Sequence, residues 1–231
     1  MNKVLVDADV LVYRSAFSTE GMSQEDAEHK VEEVLDEIME HVLFSPNPDL
    51  LQLYLTGANN FRYDMATIAP YKGNRSGKEK PEHFYHLRGY LVDHWGAEVS
   101  EGEEADDLIA KAATKQGPTS IIVSVDKDFL QVPCTFFNLT KREFIKVDEQ
   151  SGMLFFYTQV LTGDRADNIK GVPNVGPVKA KRILEGLTTE QELYEACLET
   201  YDGDAEALLE NARLLWLRRE EDELWFPPDQ R

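Results

Sequence analysis

The sequence predicts an α/β domain built on a mainly parallel sheet. Short apolar runs alternate with helix-periodic stretches throughout residues 1–130. Carboxylates collect where those runs end, which in parallel α/β sheets is the ligand-binding edge. The 231 residues, 42% hydrophobic and 29% charged, suffice for one sizeable core with a small helical addition.

The elements follow in order. KVLV (3–6) reads as a short buried strand ending at Asp7. Ser23, followed three residues later by Asp26, marks a capping-box helix start. Ala27, Val31, Leu35, Ile38 and Val42 then recur at helical spacing beneath an acidic outer face. Pro46 and Pro48 end that helix, and LLQLYL (50–55) is the next strand. Residues 56–80 are polar and carry Gly and Lys, which predicts a long functional loop. Pro81 suits the start of a helix running to about Trp95. Residues 104–116 form another helix, and TSIIVSV (119–125) is the clearest strand. Residues 135–156 supply shorter edge strands. From Tyr157 onward the pattern is helical, interrupted at GVPNVGP (171–177).

Several function classes drop out early. No apolar run approaches the ~18 residues that span a bilayer. The first ten residues carry acids where a signal peptide needs its apolar stretch. Cys134 and Cys197 stand far apart with no metal spacing, which excludes zinc fingers and a disulfide framework and predicts a reducing, cytoplasmic setting. The net charge of −19 repels polyanions on average, yet it is concentrated in residues 20–40 and 185–231. The nearly neutral remainder holds basic runs at 61–90 and 165–182, so a polyanionic ligand stays open.

The carboxylates are the informative feature. Asp7 follows the first strand. Asp126 and Asp128 follow the clearest one and share a face of an extended segment, with Lys127 pointing away. Glu104, Asp106 and Asp107 open one helix; Asp164 and Asp167 open another. Each alone reads well as a helix cap or a solvated group. As a set without Lys or Arg partners, they call for Mg²⁺ or Mn²⁺ rather than zinc. Two such ions about 4 Å apart serve an in-line displacement at a phosphodiester. Tyr71, Lys72 and Arg75 in the long loop offer an aromatic face for a base and two cations for phosphate. The turn from Gly171 and Val172 to Gly176, followed by Lys179, Lys181 and Arg182, suits backbone phosphates.

Together these residues resemble the 5′ nuclease (flap endonuclease) superfamily. The matching pieces are Asp7, YKGNR (71–75), EADD (104–107), DKD (126–128), GDRADN (163–168) and GVPNVG with its basic helix (171–182), in the family's order. The closing WLRREEDELWF (216–226) is most similar to the 5′→3′ exonucleases of T7-like phages. The resemblance implies a PIN-like core over residues 1–156, including an arch or clamp at 56–80. A helix–three-turn–helix element and helical region would fill 157–231.

It also implies metal-dependent hydrolysis of DNA from 5′ ends or at 5′ flaps, in phage replication, host DNA degradation or removal of RNA primers from RNA–DNA hybrids, in the host cytoplasm. By position, Asp7, Glu104, Asp106, Asp126, Asp128 and Asp164 would hold two ions, Mg²⁺ or Mn²⁺, supported by Asp107 and Asp167. Lys72 and Arg75 would steady the scissile phosphate. The 171–176 turn would grip duplex backbone, with K⁺ on its carbonyls in some relatives. No membrane partner is implied.

One departure is visible: Gly57 stands where the family has an Asp after the second strand, with Asp9 and Asp64 as candidate replacements. Three other readings fit part of the pattern. Asp7-Ala8-Asp9-Val10, with Gly163-Asp164 and Asn168, fits a haloacid-dehalogenase-like phosphatase. A PIN-type ribonuclease shares the core, and a DNA-binding relative without catalysis shares everything but the missing Asp.

Overall fold

Four consecutive buried residues, VLVD, make β1 (Val4–Asp7) the centre of the sheet. In the computed structural model, which describes residues 3–43, 47–75 and 77–230, the chain turns directly from β1 into α1 (Ala8–Ser18). Asp7 caps that helix by accepting from the Val10 amide. The helix α2 (Gln24–Ile38) opens on the predicted Ser23/Asp26 capping box, and β2 (Leu51–Ala58) follows. Pro46 lies outside the described residues. After α3 (Arg62–Met65), α4 (Phe84–Trp95) begins three residues past Pro81. Then come β3 (Glu98–Glu101), α5 (Ala105–Gln116), β4 (Ile121–Ser124), β5 (Cys134–Asn138) and β6 (Glu143–Val147).

The sheet order is β3-β2-β1-β4-β5-β6, parallel except for β6. The mainly parallel sheet flanked by helices is thus the fold the alternation predicts. Val4, Val6, Leu53 and Val123 pack one face against α1, α2 and α4. Leu5, Tyr54, Ile122 and Phe136 pack the other against α5. The strand order reverses between β1 and β4, so a crevice opens beyond their carboxyl ends. Asp7 and Ser124 terminate those two strands.

A third cluster joins α6 (Glu149–Thr162), α7 (Pro177–Leu184), α8 (Glu190–Thr200) and α9 (Ala205–Leu215) around Phe156, Tyr157 and Trp225. Position 156 lies inside α6. From α9 the chain runs back as a strap over the sheet domain. Arg62 donates to the carbonyls of Leu214 (3.0 Å) and Trp216 (2.8 Å), and Gln131 brackets Leu215 and Leu217 through its side chain. No helix among the described residues is long and apolar enough to cross a membrane. Both cysteines are free and buried.

Several elements differ from expectation. Residues 149–156 are helical because Asp148 and Ser151 form a capping box. Asp164 and Asp167 do not open a helix: Asp164 ends β7 (Gly163–Asp164), which pairs with β8 (Ile169–Lys170) across a tight turn. Asp126 and Asp128 do not sit on an extended segment, because β4 stops at Ser124 and Asp126 caps a 3₁₀ turn over Lys127–Gln131. Much of the 56–80 stretch is not a free arch. It continues β2, forms α3 and a turn at Gly73–Arg75, and is pinned by Lys72 N–H to the Asp167 carbonyl and Asn74 to the Arg165 carbonyl.

Candidate active site

The crevice beyond β1 and β4 is a cleft of about 1200 Å³. Asp7, Glu104, Asp106, Asp126 and Asp167 line it together with Lys72, Arg75, Lys78, Lys80 and Arg88. Residues spread from 7 to 167 therefore meet at one sheet edge.

The acids fall into two electrostatic groups. Asp7, 5% exposed at the end of β1, accepts from Ser124 Oγ at 2.6 Å. Burial, with Asp9 and Asp126 nearby, still pushes its carboxyl up to about 7. Asp106, in the first turn of α5, is raised well above the usual carboxylate range by burial and by Asp7, Asp126 and Glu104. Burial raises Asp126 as well. None of these three has an ion pair among the described residues.

The other expected ligands do have basic partners, against the expectation of an unpartnered set. Lys72 pairs with Glu104, and Arg75 with Asp167 at 2.8 Å. Lys127 turns back, rather than away, to reach Asp164 and Asp128 (3.1 Å). Asp164 is held below the usual range by Lys127 against the effect of burial. Asp107 faces the interior, fully buried, with Arg62 bidentate on it at 2.6 and 2.8 Å. Consecutive residues on a helix diverge by about 100°, so Asp106 takes the cleft and Asp107 the core. That placement makes Asp107 a structural anchor rather than a metal ligand.

As placed, no three His, Cys, Asp or Glu side chains among the described residues converge to hold a metal ion. The donor chemistry at Asp7, Asp106 and Asp126 fits one all the same. The set is oxygen-only, and each carboxyl is disfavoured in its charged form by burial, which outweighs Lys72 near Asp106 and Lys127 near Asp126. Folded, these groups hold protons more tightly than an ordinary Asp carboxyl does at about 3.9. The metal-free protein is therefore expected to lose this contribution to stability as pH rises from about 4 through 7. Asp107 and Asp164 act in the opposite sense, losing theirs as pH falls below 3.8. Melting curves with and without Mg²⁺ check this: at pH 8 an ion at 100 times its Kd should add ~2.7 kcal/mol, and at pH 5 clearly less. Equal Mg²⁺ effects at both pH values would count against these three acids.

Neither candidate replacement for the missing Asp serves. Asp9 lies in the first turn of α1, not on a continuing strand. It is held by Arg88 Nη1 at 2.6 Å and the Thr56 amide at 2.8 Å. Asp64 is exposed on α3 and does not line the cleft. A Cβ at Gly57 would stand 1.8 Å from the Ser100 carbonyl oxygen of β3. Gly57→Asp is thus expected to cost about 2–3 kcal/mol or more. A urea midpoint equal to wild type would refute this.

Tyr71 offers no face to a base: it is 4% exposed, and its hydroxyl lies 2.9 Å from Glu104 and 3.0 Å from Asp167, with its one proton shared between the two carboxylates. Tyr63 and Tyr85 are the exposed tyrosines along the cleft instead. Gly171, Val172, Gly176, Lys179, Lys181 and Arg182 lie outside the cleft, with the three basic side chains exposed on α7. Gly171 is required by packing, since its Cβ would meet the Thr162 carbonyl carbon at 2.2 Å.

Sequence spacing missed Arg62, Arg88 and Gln159. Arg62 and Arg88 carry one faint signal, their place in the 61–90 basic run; Gln159 carries none.

The chain matches the family model described as 5′-3′ exonuclease, N-terminal resolvase-like domain, over residues 2–154. It is 35% identical over 139 residues to flap endonuclease Xni of Aeromonas hydrophila, covering 54% of this chain and 48% of that protein. It is 28% identical over 214 residues to DNA polymerase I of Bacillus subtilis, covering 84% of this chain and 24% of that protein. The chain spans about half the length of the flap endonucleases it matches. Among solved structures, a bacteriophage T5 flap endonuclease, in a complex with DNA and metal ions, superposes with a TM-score of 0.71 at 16% identity, covering 93% of this chain and 89% of that one. Flap endonuclease-1 from Methanococcus jannaschii gives 0.59 at 15% identity, covering 99% and 84%. These likenesses establish the PIN-like fold.

Proposed function

Because the chain belongs to the 5′-3′ exonuclease family, we propose that it hydrolyses phosphodiester bonds of DNA from 5′ ends or at 5′ flaps, using divalent metal. The observation that carries this is the cleft in which three carboxylates without ion pairs among the described residues, Asp7, Asp106 and Asp126, lie with Lys72 and Arg75. Asp7, Asp106 and Asp126 would hold Mg²⁺ or Mn²⁺, which when bound supplies Lewis acidity and an activated water.

The chain's own groups do the rest. Ser124 orients Asp7 by donating to it. Tyr71 fixes Glu104 and Asp167, which in turn hold Lys72 and Arg75 at the cleft. Those two cations stabilise charge developing on the phosphate. In this reading residues 1–156 carry the chemistry. Residues 157–231 hold duplex backbone through the 171–176 turn, Lys179, Lys181 and Arg182, and the turn's carbonyls are the groups that would hold a K⁺ ion. Contacts of that kind read no bases, which suits general duplex degradation and RNA–DNA hybrids in phage replication.

The test uses a 5′-flap duplex and a blunt duplex, labelled at the 3′ end, in Mg²⁺, Mn²⁺ and EDTA. Metal-dependent shortening from the 5′ end is expected, and Lys72→Ala should slow single-turnover cleavage by about 10²-fold with a smaller loss of binding. Tight binding without cleavage in either metal would overturn the reading and leave a DNA-binding relative.

A further inference from the structure

Arg88 is a cation of the cleft that stands apart from the basic 71–75 turn. It lies on α4, one turn after Phe84, and lines the cleft with its side chain 18% exposed. Two bonds fix it. Nη1 donates to Asp9 Oδ1 and Nη2 to the Thr56 carbonyl, both at 2.6 Å. Asp9 Oδ2 in turn accepts from the Thr56 amide at 2.8 Å, which closes a ring of three residues beside Gly57, where the family's Asp is absent. The Thr56 hydroxyl also accepts from the Ala105 amide at 3.1 Å, so the ring is registered to the turn of α5 that carries Asp106. A guanidinium carries more N–H groups than these two bonds use, and the others make no hydrogen bond among the described residues.

We propose that Arg88 binds a backbone phosphate of the substrate strand, next to the phosphate at which the strand is cut. This rests on the nuclease reading above and adds a substrate contact to it. A planar guanidinium offers paired donors that match phosphate oxygens. Its place is set before substrate arrives, so little side-chain freedom is lost on binding. Asp9 offsets the charge in the free protein without covering it, and the pair stays open to the cleft. Lys80 stands over the Phe84 ring at 4.6 Å, as Arg88 does at 5.5 Å, so a second cation lies along the same wall. Arg88 is moored to Thr56 and Asp9 rather than to the acids that would hold metal. It therefore governs how tightly the strand is held more than how fast it is cut. A role confined to neutralising Asp9 would make the pair dispensable as a unit, whereas phosphate binding makes the guanidinium itself necessary.

Single-turnover cleavage of a 5′-flap duplex in Mg²⁺, at rising protein concentration, separates half-saturation from maximal rate. Arg88→Gln combined with Asp9→Asn removes both charges and leaves the net charge unchanged. This double variant should raise the half-saturating concentration about tenfold and change the maximal rate by less than about threefold. It should also lower the slope of log affinity against log salt by about one, a slope that Arg88→Lys should keep. On the substrate side, methylphosphonate linkages remove one phosphate charge at a time and leave the protein unaltered. They should reveal one position beside the cut at which wild type loses about tenfold and the double variant loses nothing further. If the double variant does not fold, Arg88→Lys takes its place in this scan, with a smaller loss than wild type at that linkage. A double variant with wild-type half-saturation and salt slope, or equal losses at every linkage with and without Arg88, would overturn the proposal. Arg88 would then be only the partner of Asp9, with the nuclease reading intact. Absence of metal-dependent cleavage by wild type would overturn both.

Discussion

Replacing Asp106 with Asn is expected to slow cleavage of a 5′-flap duplex by on the order of 10³-fold and, at the same time, to make the metal-free protein more stable at pH 8. Asn keeps the shape and removes the charge. Asp106 has no hydrogen bond or ion pair from described residues to lose, and its carboxylate is opposed by burial and by Asp7, Asp126 and Glu104. Neutralising it removes that opposition, so the melting temperature of the metal-free protein at pH 8 should rise, by a few degrees for about 1 kcal/mol in a domain of this size. Function thus holds the site in a configuration that the fold alone disfavours. Single-turnover assays and calorimetric melting of the same preparation check both halves. Retained cleavage, or a lowered melting temperature, would show that Asp106 is a structural acid.

Arg62→Ala should act in the reverse way, costing about 3–5 kcal/mol of stability. The guanidinium is 1% exposed and fully engaged: two bonds to Asp107, one to the Leu214 carbonyl and one to that of Trp216. Its removal leaves a buried carboxylate with only the Glu104 and Arg218 amides for company. Arg62→Lys should recover little, because an ammonium cannot reproduce the bidentate fork. Urea unfolding monitored by tryptophan fluorescence measures the loss. A change below about 1 kcal/mol would place this pair with surface ion pairs in energetic terms.

The elements that read clearly from sequence are those whose local chemistry agrees with their tertiary role. Ser23 and Asp26 announce α2, and the apolar runs at 4–6, 51–55 and 121–123 become the three adjacent strands β2, β1 and β4. The helix α1 was hidden because DADVLV continues the strand-like run of β1, and its buried face includes Ser15 and Ala16 beside Leu11 and Val12. The strand β3 was hidden because only Ser100 of its four residues is buried.

At the site, Asp7, Asp106 and Asp126 from strand ends and a helix start, and Lys72 and Arg75 from the 56–80 stretch, line one cleft. What spacing could not reveal was pairing across long separations. Arg62 claims Asp107, and Tyr71 is drawn inward by Glu104 and Asp167. Lys127 folds back because the chain tightens after Ser124 instead of running on extended.

The strap from α9 also sets an order of events during synthesis. Arg62 and the Leu214 carbonyl it binds are 152 residues apart, and the Arg218 amide reaches back 111 residues to Asp107. On the ribosome, the base of α5 leaves the exit tunnel long before the groups that seal it. At ordinary elongation rates of about 5–20 residues per second, that delay lasts roughly 6 to 30 seconds. Through that interval the helix carrying Asp106 is moored only by its own packing and by Arg62. The cleft is therefore among the last parts of the molecule to become rigid.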